Sequence, residues 1–325
     1  MSVYIHSVGV DVPERRISNE ELAGIVDTTD EWIRSHTGIG SRHIAEDGTL
    51  TSDLAVAAAR KAMDKAGITA ADLDLIVVAT ATPDYFGFPS TACIVQDKLG
   101  VRGCPAFDVT AGCSGFVYGL SVASSLLETN KGSHALVIGA ETLSRITNWE
   151  DRSTCVLLGD GAGAAILTRT ETGDSKVVVS FLGADGSGSG DLRLLQAERT
   201  KTFHPANPIV PLLEMNGRRV YNFALQTIPA MVDRLLKLCG RRLEEIAWII
   251  PHQANARIIE AAAKRLETSR ERFYMNIEEY ANTSSASIPI ALNEMDEKGL
   301  LRRGDLLMLL AFGAGLTYGG AVISW

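Results

Sequence analysis

The chain has 325 residues, 46% hydrophobic and 22% charged, with a formal net charge of −8. That length accommodates two domains or one large α/β unit with a substantial core, and the acidic balance argues against bulk nucleic-acid binding. No apolar run approaches the ~20 residues of a membrane helix. The opening Met1-Ser2-Val3-Tyr4-Ile5-His6 shows no basic region followed by an apolar core, so no signal peptide is expected. The five cysteines (93, 104, 113, 155 and 239) have neither C-x-x-C spacing nor a zinc-type His/Cys cluster. Their odd number, without a secretory signal, indicates reduced thiols in a cytoplasm and no structural metal.

Residues 3 to 10 read as a strand. Ser18 stands three residues before Glu21, which predicts a capping box and a short helix. Thr28-Thr29-Asp30-Glu31-Trp32-Ile33 repeats that signature. Trp32 fits either a core position or, with the basic Arg42-His43 beyond, a surface site for a flat polyanionic ligand. Thr51 to Ala66 is predicted helical, with Leu54, Ala58, Ala62 and Ala66 on one small-residue stripe. Leu75 to Ala79 is a strand-length apolar run buried on both faces, and a helix is expected over 90–99.

The stretch Cys104 to Leu120 then predicts a strand over 105–109, a tight turn of very small residues, and a helix over 116–128. This elbow sets the Cys113 sulfur at the first turn of a helix, where unpaired N–H groups and the dipole favour a thiolate. On this stretch alone a nucleophile and a small buried hydrophobe fit equally well. A strand follows at 135–139. Gly159, Gly161 and Ala164 fit a G-x-G-x-x-A dinucleotide fingerprint, but the segment after them is apolar and strand-length where that motif needs a helix. Two strands joined by a glycine turn are expected instead, without nicotinamide binding. From Gly183 to about Asn216 the chain reads as irregular. A helix at 220–238, a strand at 247–250, a helix at 254–266 and strands at 306–310 and 317–324 then repeat the first half, which predicts two similar α/β halves meeting near residue 172.

Two further stretches are Pro251-His252-Gln253-Ala254-Asn255 at a strand end and Asn282-Thr283-Ser284-Ser285-Ala286-Ser287-Ile288-Pro289. With the Cys113 elbow, Gly159-Asp160-Gly161-Ala162-Gly163 and Phe312-Gly313-Ala314-Gly315, they make the chain resemble the β-ketoacyl-[acyl carrier protein] synthase III family. That family comprises the initiating condensing enzymes of type II fatty-acid synthesis, within the thiolase superfamily. The resemblance covers essentially the whole chain. It implies a thiolase-like α/β fold with five layers, α/β/α/β/α, working as a homodimer. Residues 1–172 would form the half carrying the nucleophilic cysteine, and 173–325 the half carrying the histidine and asparagine.

The resemblance further implies catalysis by Cys113, His252 and Asn282, and a decarboxylating Claisen condensation. Cys113 would take an acyl group from an acyl-CoA. Malonyl-[acyl carrier protein] would then lose CO₂, its enolate stabilised by His252 and Asn282. The carbanion would attack the acyl-enzyme, the new oxyanion lying against the N–H groups of Cys113 and Ala314. Asn255 would position His252 and Asn282. Thr28, Trp32, Arg152 and Arg257 would hold coenzyme A, a substrate portion; no cofactor or metal is implied. Phe88 would reach across the dimer to close the acyl pocket. The rival readings are a same-fold paralogue using an unusual starter or acceptor in specialised metabolism, and a non-catalytic protein that only binds CoA or carrier protein.

Three positions depart from the family pattern. His36 stands where many relatives have arginine near the CoA nucleotide, and Ala281 where glycine is usual, which suggests a slightly different backbone before Asn282. Ala314 replaces a common glycine without affecting a backbone contact. Finally, Arg257, Ala261, Lys264 and Arg265 share one side of the predicted helix 254–266, and Arg218 and Arg219 precede helix 220–238. This is a candidate docking patch for an acidic carrier protein.

Overall fold

The computed structural model describes residues 2–325 except 131, 172, 174 and 196–210. The expected boundary at residue 172 and part of the expected irregular stretch therefore lie outside the described residues. Two sheets organise the chain. The first has the strand order Ser2–Asp11, Gly161–Thr170, His134–Glu141, Leu75–Ala79, Ala106–Val109. The second has the order Trp248–Pro251, Leu306–Gly313, Thr317–Ser324, Lys176–Ala184. Each combines parallel pairing around its short buried strand with antiparallel pairing beyond.

The two halves reuse one local plan. The helix Thr51–Ala66 ends on the left-handed Gly67, and a 3-10 turn at Ala70–Asp72 leads into the strand Leu75–Ala79. The helix Gly217–Cys239 ends on the left-handed Gly240, and a 3-10 turn at Leu243–Glu245 leads into Trp248–Pro251. Glycine serves at both helix ends because φ of 67° and 64° costs it nothing.

The buried side chains sort into layers. Leu54, Ala58 and Ala62 pack with Ile76, Leu136 and Ile166 on the outer face of the first sheet. On its inner face Val77 and Val137 meet Phe116 and Leu120 of the helix Gly115–Asn130, and Leu292 and Met295 of the helix Ser287–Glu297; Leu307 and Leu309 of the second sheet close the same core. Beyond the second sheet, Ile228, Val232, Ile259 and Ala262 cover Met308 and Val322. Helix, sheet, helix, sheet, helix is the thiolase-like five-layer arrangement.

The glycine-rich segment differs from the two expected strands. Arg152–Cys155 is a short helix capped by Asp151, and the glycines from Gly161 on belong to one strand, Gly161–Thr170. A Cβ on Gly163 would lie 2.7 Å from that of Pro289, and one on Gly139 would lie 2.2 Å from the Ser285 carbonyl oxygen. Glycine at these positions lets the segment entering the helix Ser287–Glu297 sit directly on the sheet. Asp160 is fully buried and accepts hydrogen bonds from the Ala45 and Ser144 amides (2.8 and 2.9 Å) and the Ser144 hydroxyl (2.6 Å). The predicted Ser18–Glu21 capping box is present in both directions. Among the described residues, no helix is long and apolar enough to cross a membrane, and no His/Cys/Asp/Glu cluster could hold a metal.

Candidate active site

Strand Ala106–Val109 delivers the chain to a 3-10 turn at Gly112–Ser114, which runs straight into the helix Gly115–Asn130. Gly112 has φ +49°, and a Cβ there would lie 2.9 Å from the Ala314 nitrogen. A Cβ on Gly313 would lie 2.6 Å from the Cys113 nitrogen. Two missing side chains thus bring the Cys113 turn against the 313–316 loop. Thr317 Oγ1 lies 2.8 Å from both the Ala111 and Ala314 carbonyl oxygens and ties the two segments together. Among the described residues, the Cys113 and Ala314 N–H groups have no backbone acceptor.

Cys113 stands where two cavities meet. The inner one is lined by Leu143, Ile146, Leu158, Leu213 and Ala314. The outer one, open to solvent, is lined by Trp32, His36, His252 and Asn255. Cys113 and Asn282 border both. The resting sulfur is not the expected thiolate. Burial pushes the Cys113 thiol up to about 12, opposed by the Ser284 hydroxyl and reinforced by the nearby Glu141 carboxyl. Desolvation of the charged form outweighs the favourable helix terminus.

His252 follows the end of strand Trp248–Pro251, its amide donating to the Leu310 carbonyl at 2.7 Å. The ring's Nδ1 lies 2.8 Å from Ser287 Oγ, which also accepts from the Gln253 amide (3.4 Å). A Ser287 hydroxyl donating to Nδ1 places the ring proton on Nε2. Burial pulls the His252 pKa down to about 3, so the imidazole is a neutral donor. Asn282 is fixed by its main chain, the amide donating to the Leu157 carbonyl (2.9 Å) and the carbonyl accepting from Gly159 (3.0 Å). Its Oδ1 accepts from the Ser284 amide at 2.8 Å, which leaves the Nδ2 protons as donors.

At Ala281 the backbone before Asn282 is unusual for an alanine. Ala281 takes φ 56°, ψ −155°, a region that is essentially glycine's own, despite its methyl group. At His36, the ring stacks on Trp32 with centroids 4.4 Å apart, and Nδ1 bonds the Trp32 carbonyl at 2.8 Å. Arg152 covers Trp32, its guanidinium carbon 4.9 Å from the ring centre. Trp32 and His36 therefore face the outer cavity with Arg152 beside them, while Thr28 has a buried hydroxyl without a partner among the described residues.

The other expected residues lie around and outside these cavities. Asn255 lines the outer cavity, but its amide bonds the His36 carbonyl (3.1 Å) and its Oδ1 caps the helix Ala256–Arg265 through the Arg257 amide (2.9 Å). Neither His252 nor Asn282 is its partner; Ser287 orients the histidine instead. Phe88 is 91% exposed and lines neither cavity of this chain. Arg218, Arg219, Arg257, Lys264 and Arg265 are all on the surface. Arg265 bonds the Leu225 carbonyl, so the two helices are neighbours, and Arg219 pairs with Asp191 at 3.7 Å. Sequence reading missed Glu141, Ser284 and Ser287 as site residues. Ser284 and Ser287 lie inside the stretch that drew attention to Asn282, while Glu141 continues a strand predicted to stop at 139.

Residues 107–186 match the family described as 3-oxoacyl-[acyl-carrier-protein (ACP)] synthase III, and residues 236–325 match its C-terminal counterpart. The beta-ketoacyl-[acyl-carrier-protein] synthase III of Caldanaerobacter subterraneus subsp. tengcongensis is 47% identical over 99% of this chain and 97% of its own. The enzyme of the same name from Natranaerobius thermophilus is 48% identical over 99% and 98%. The crystal structure of 3-oxoacyl-[acyl-carrier-protein] synthase III from Aquifex aeolicus VF5 superposes with a TM-score of 0.91 at 42% identity, covering 99% of this chain and all of that one. Likeness at this level along the full length, joined to a cysteine turn, a neutral histidine and an asparagine donor around one cavity junction, places the chain in the 3-oxoacyl-[acyl-carrier-protein] synthase III family.

Proposed function

We propose that this protein joins an acyl-CoA starter to malonyl-[acyl carrier protein], releasing CO₂ and CoA and giving the 3-oxoacyl-[acyl carrier protein] that begins fatty-acid synthesis. The observation that carries this reading is the junction itself. A cysteine between an apolar inner cavity and an open outer one can receive an acyl chain on one side from a carrier arriving on the other. Cys113 attacks the thioester, and its own N–H with that of Ala314 receives the oxyanion. Malonyl thioester then enters the outer cavity. His252 Nε2–H and Asn282 Nδ2–H stabilise the enolate left by CO₂, and a ring with a pKa of about 3 donates without becoming charged. The carbanion attacks the acyl-Cys113 carbonyl and the sulfur leaves. These steps use no cofactor or metal.

In this reading residues 1–172 supply the nucleophile and 173–325 the two donors. Thr28, Trp32, Arg152 and Arg257 receive the nucleotide end of CoA, and Asn255 forms part of the polar wall. The exposed Phe88 is covered by a second copy in a cytoplasmic homodimer and closes that copy's acyl pocket. Lys264, with Arg218, Arg219, Arg257 and Arg265, meets the carrier protein. Intact-protein mass spectrometry after exposure to a panel of acyl-CoAs tests the proposal. A single acyl adduct, lost in Cys113→Ser and discharged by malonyl-[acyl carrier protein], is expected; no adduct with any acyl-CoA would reject it.

A further inference from the structure

Arg42 is the bulkiest fully buried side chain among the described residues. Its place beside His43 suggests a basic surface, but the short strand Ser41–His43, paired with Arg16–Ser18, turns it inward. Burial pulls its pKa down to about 10, so it is still a cation at neutral pH. Among the described residues no carboxylate touches the guanidinium. A buried cation without a direct ion pair is costly, and nothing in the condensation proposed above uses it.

Its bonds show what it holds. Nη2 donates to the Val156 carbonyl at 3.0 Å. Nη1 donates to Asn19 Oδ1 at 2.8 Å and, at 3.4 Å, to the Ile17 carbonyl. Asn19 is itself fully buried, and its Nδ2 donates to Asp30 Oδ1 (2.7 Å) and the Ile39 carbonyl (2.9 Å). Both neighbours fix the way this amide points. Its oxygen must face a guanidinium that only donates, and its NH₂ must face a carboxylate that only accepts. The Asn19 hydrogen bond in turn holds the Asp30 carboxyl below the usual carboxylate range. The amide thus links a buried cation to an anion it does not touch.

The two ends of this link lie in two walls of the outer cavity. Asp30 opens the helix Asp30–Thr37, which carries Trp32 and His36. Val156 closes the helix Arg152–Cys155 and lines the cavity with Ser153 and Leu157. At the rim the walls meet through Arg152, which covers Trp32 and donates to the Asp27 carbonyl at 2.7 Å. Arg152 is exposed, and exposed contacts of this kind are weak. The link through Arg42 lies behind them, between groups that water does not reach. It also needs an arginine, because two nitrogens of one rigid plane serve Val156 and Asn19 at once.

We propose that Arg42 is a positioning residue for the nucleotide end of CoA. It holds the Trp32 helix and the Arg152 helix at the spacing at which their side chains stack, without touching the substrate. This rests on the reading of the outer cavity as the CoA entrance. The thioester reacts at Cys113, which makes no contact with this link, so the chemistry is independent of it while nucleotide binding is not.

The test compares two acyl donors with the same thioester, acetyl-CoA and acetyl-pantetheine, in single-turnover acylation of Cys113 followed by intact mass. Arg42→Lys keeps the charge and loses the fork. The acetyl-CoA concentration for half-maximal rate should rise about tenfold, with the rate at saturation unchanged. The second-order rate with acetyl-pantetheine should match the parent's. Asn19→Ser cuts the link on the other side of the guanidinium and should give the same shift, so it decides the matter if the lysine variant does not fold. Partial unfolding removes active protein and lowers both rates alike, leaving their ratio unmoved. An unchanged preference for acetyl-CoA over acetyl-pantetheine in the variants overturns the positioning role while leaving the condensing function in place. A parent acylated by neither donor overturns that function, and the positioning role with it.

Discussion

The two halves of the molecule enter their central helices by the same device and use it differently. In the first, Gly112–Ser114 forms a 3-10 turn ahead of the helix Gly115–Asn130, opening at φ 49° on Gly112. In the second, Ser284–Ala286 forms a 3-10 turn ahead of the helix Ser287–Glu297, opening at φ 48° on Ser284. The first turn gives the left-handed position to glycine and the next residue to the Cys113 sulfur. The second keeps a side chain at the left-handed position and aims it at the cavity. One backbone solution thus carries a relaxed residue in one copy and a strained one in the other. The strain marks where the second half acts on the first.

The largest effect should come from the relaxed turn. Cys113→Ser keeps the geometry but replaces the thiol by a hydroxyl with no adjacent base basic enough to activate it. Acyl transfer should fall by at least about a thousandfold, seen as loss of the acyl adduct. An adduct forming at a near-parent rate would place the nucleophile elsewhere. On the second half, His252→Ala or Asn282→Ala should leave acylation largely intact and lower malonyl decarboxylation by about 10²–10³, read as CO₂ release. Variants that lost acylation yet still released CO₂ would invert the division of labour between the halves.

Much of this placement was legible in the sequence. The small-residue elbow around Cys113 and the strand end before His252 follow from apolar periodicity and turn chemistry within a dozen residues. The electrostatics were not legible, because they depend on contacts made at long range. The helix start argued for a thiolate at Cys113, but the surrounding layers withdraw water from the sulfur, and that penalty dominates. Ser287 meets His252 from 35 residues away and Ser285 meets Glu141 across 144, so neither partnership has a local signature. The glycines of 159–163 have the local spacing of a phosphate turn, yet the close approach of Pro289 explains Gly163. At Ala281 the fold imposes a glycine-type conformation on an alanine, which no local sequence signal announces.

A pH experiment sharpens the contrast between a buried histidine and its unfolded counterpart. The folded pKa of His252 is about 3 against an ordinary 6.5, so the unfolded chain binds the proton first as pH falls. Its contribution is unchanging above pH 6.5 and is lost progressively between about 6.5 and 3. At 1.36 kcal/mol per unit, the parent should lose about 2 kcal/mol more than His252→Gln between pH 7.5 and 5. Denaturant midpoints of the two proteins at both pH values supply the comparison, and equal losses would mean that His252 is not held neutral.

The smallest effect concerns the strain itself. Ala281 precedes Asn282 at φ 56°, ψ −155°, a conformation costing a non-glycine residue about 1–3 kcal/mol. Ala281→Gly removes that cost. Against it stand the loss of one buried methyl group, about 0.8 kcal/mol, and the greater freedom of glycine in the unfolded chain, about 0.5–1 kcal/mol. The balance lies between a loss of about 0.8 and a gain of about 1.7 kcal/mol, whereas an alanine-to-glycine change at an unstrained buried site should cost about 1.5 kcal/mol on the same two terms. Ala59, buried inside the helix Thr51–Ala66, provides that reference. A denaturant midpoint for Ala281→Gly near or above the parent's, with Ala59→Gly clearly lower, is the expected result. If both variants lost stability equally, the backbone before Asn282 would carry no strain, and the second half would hold its donor by packing alone.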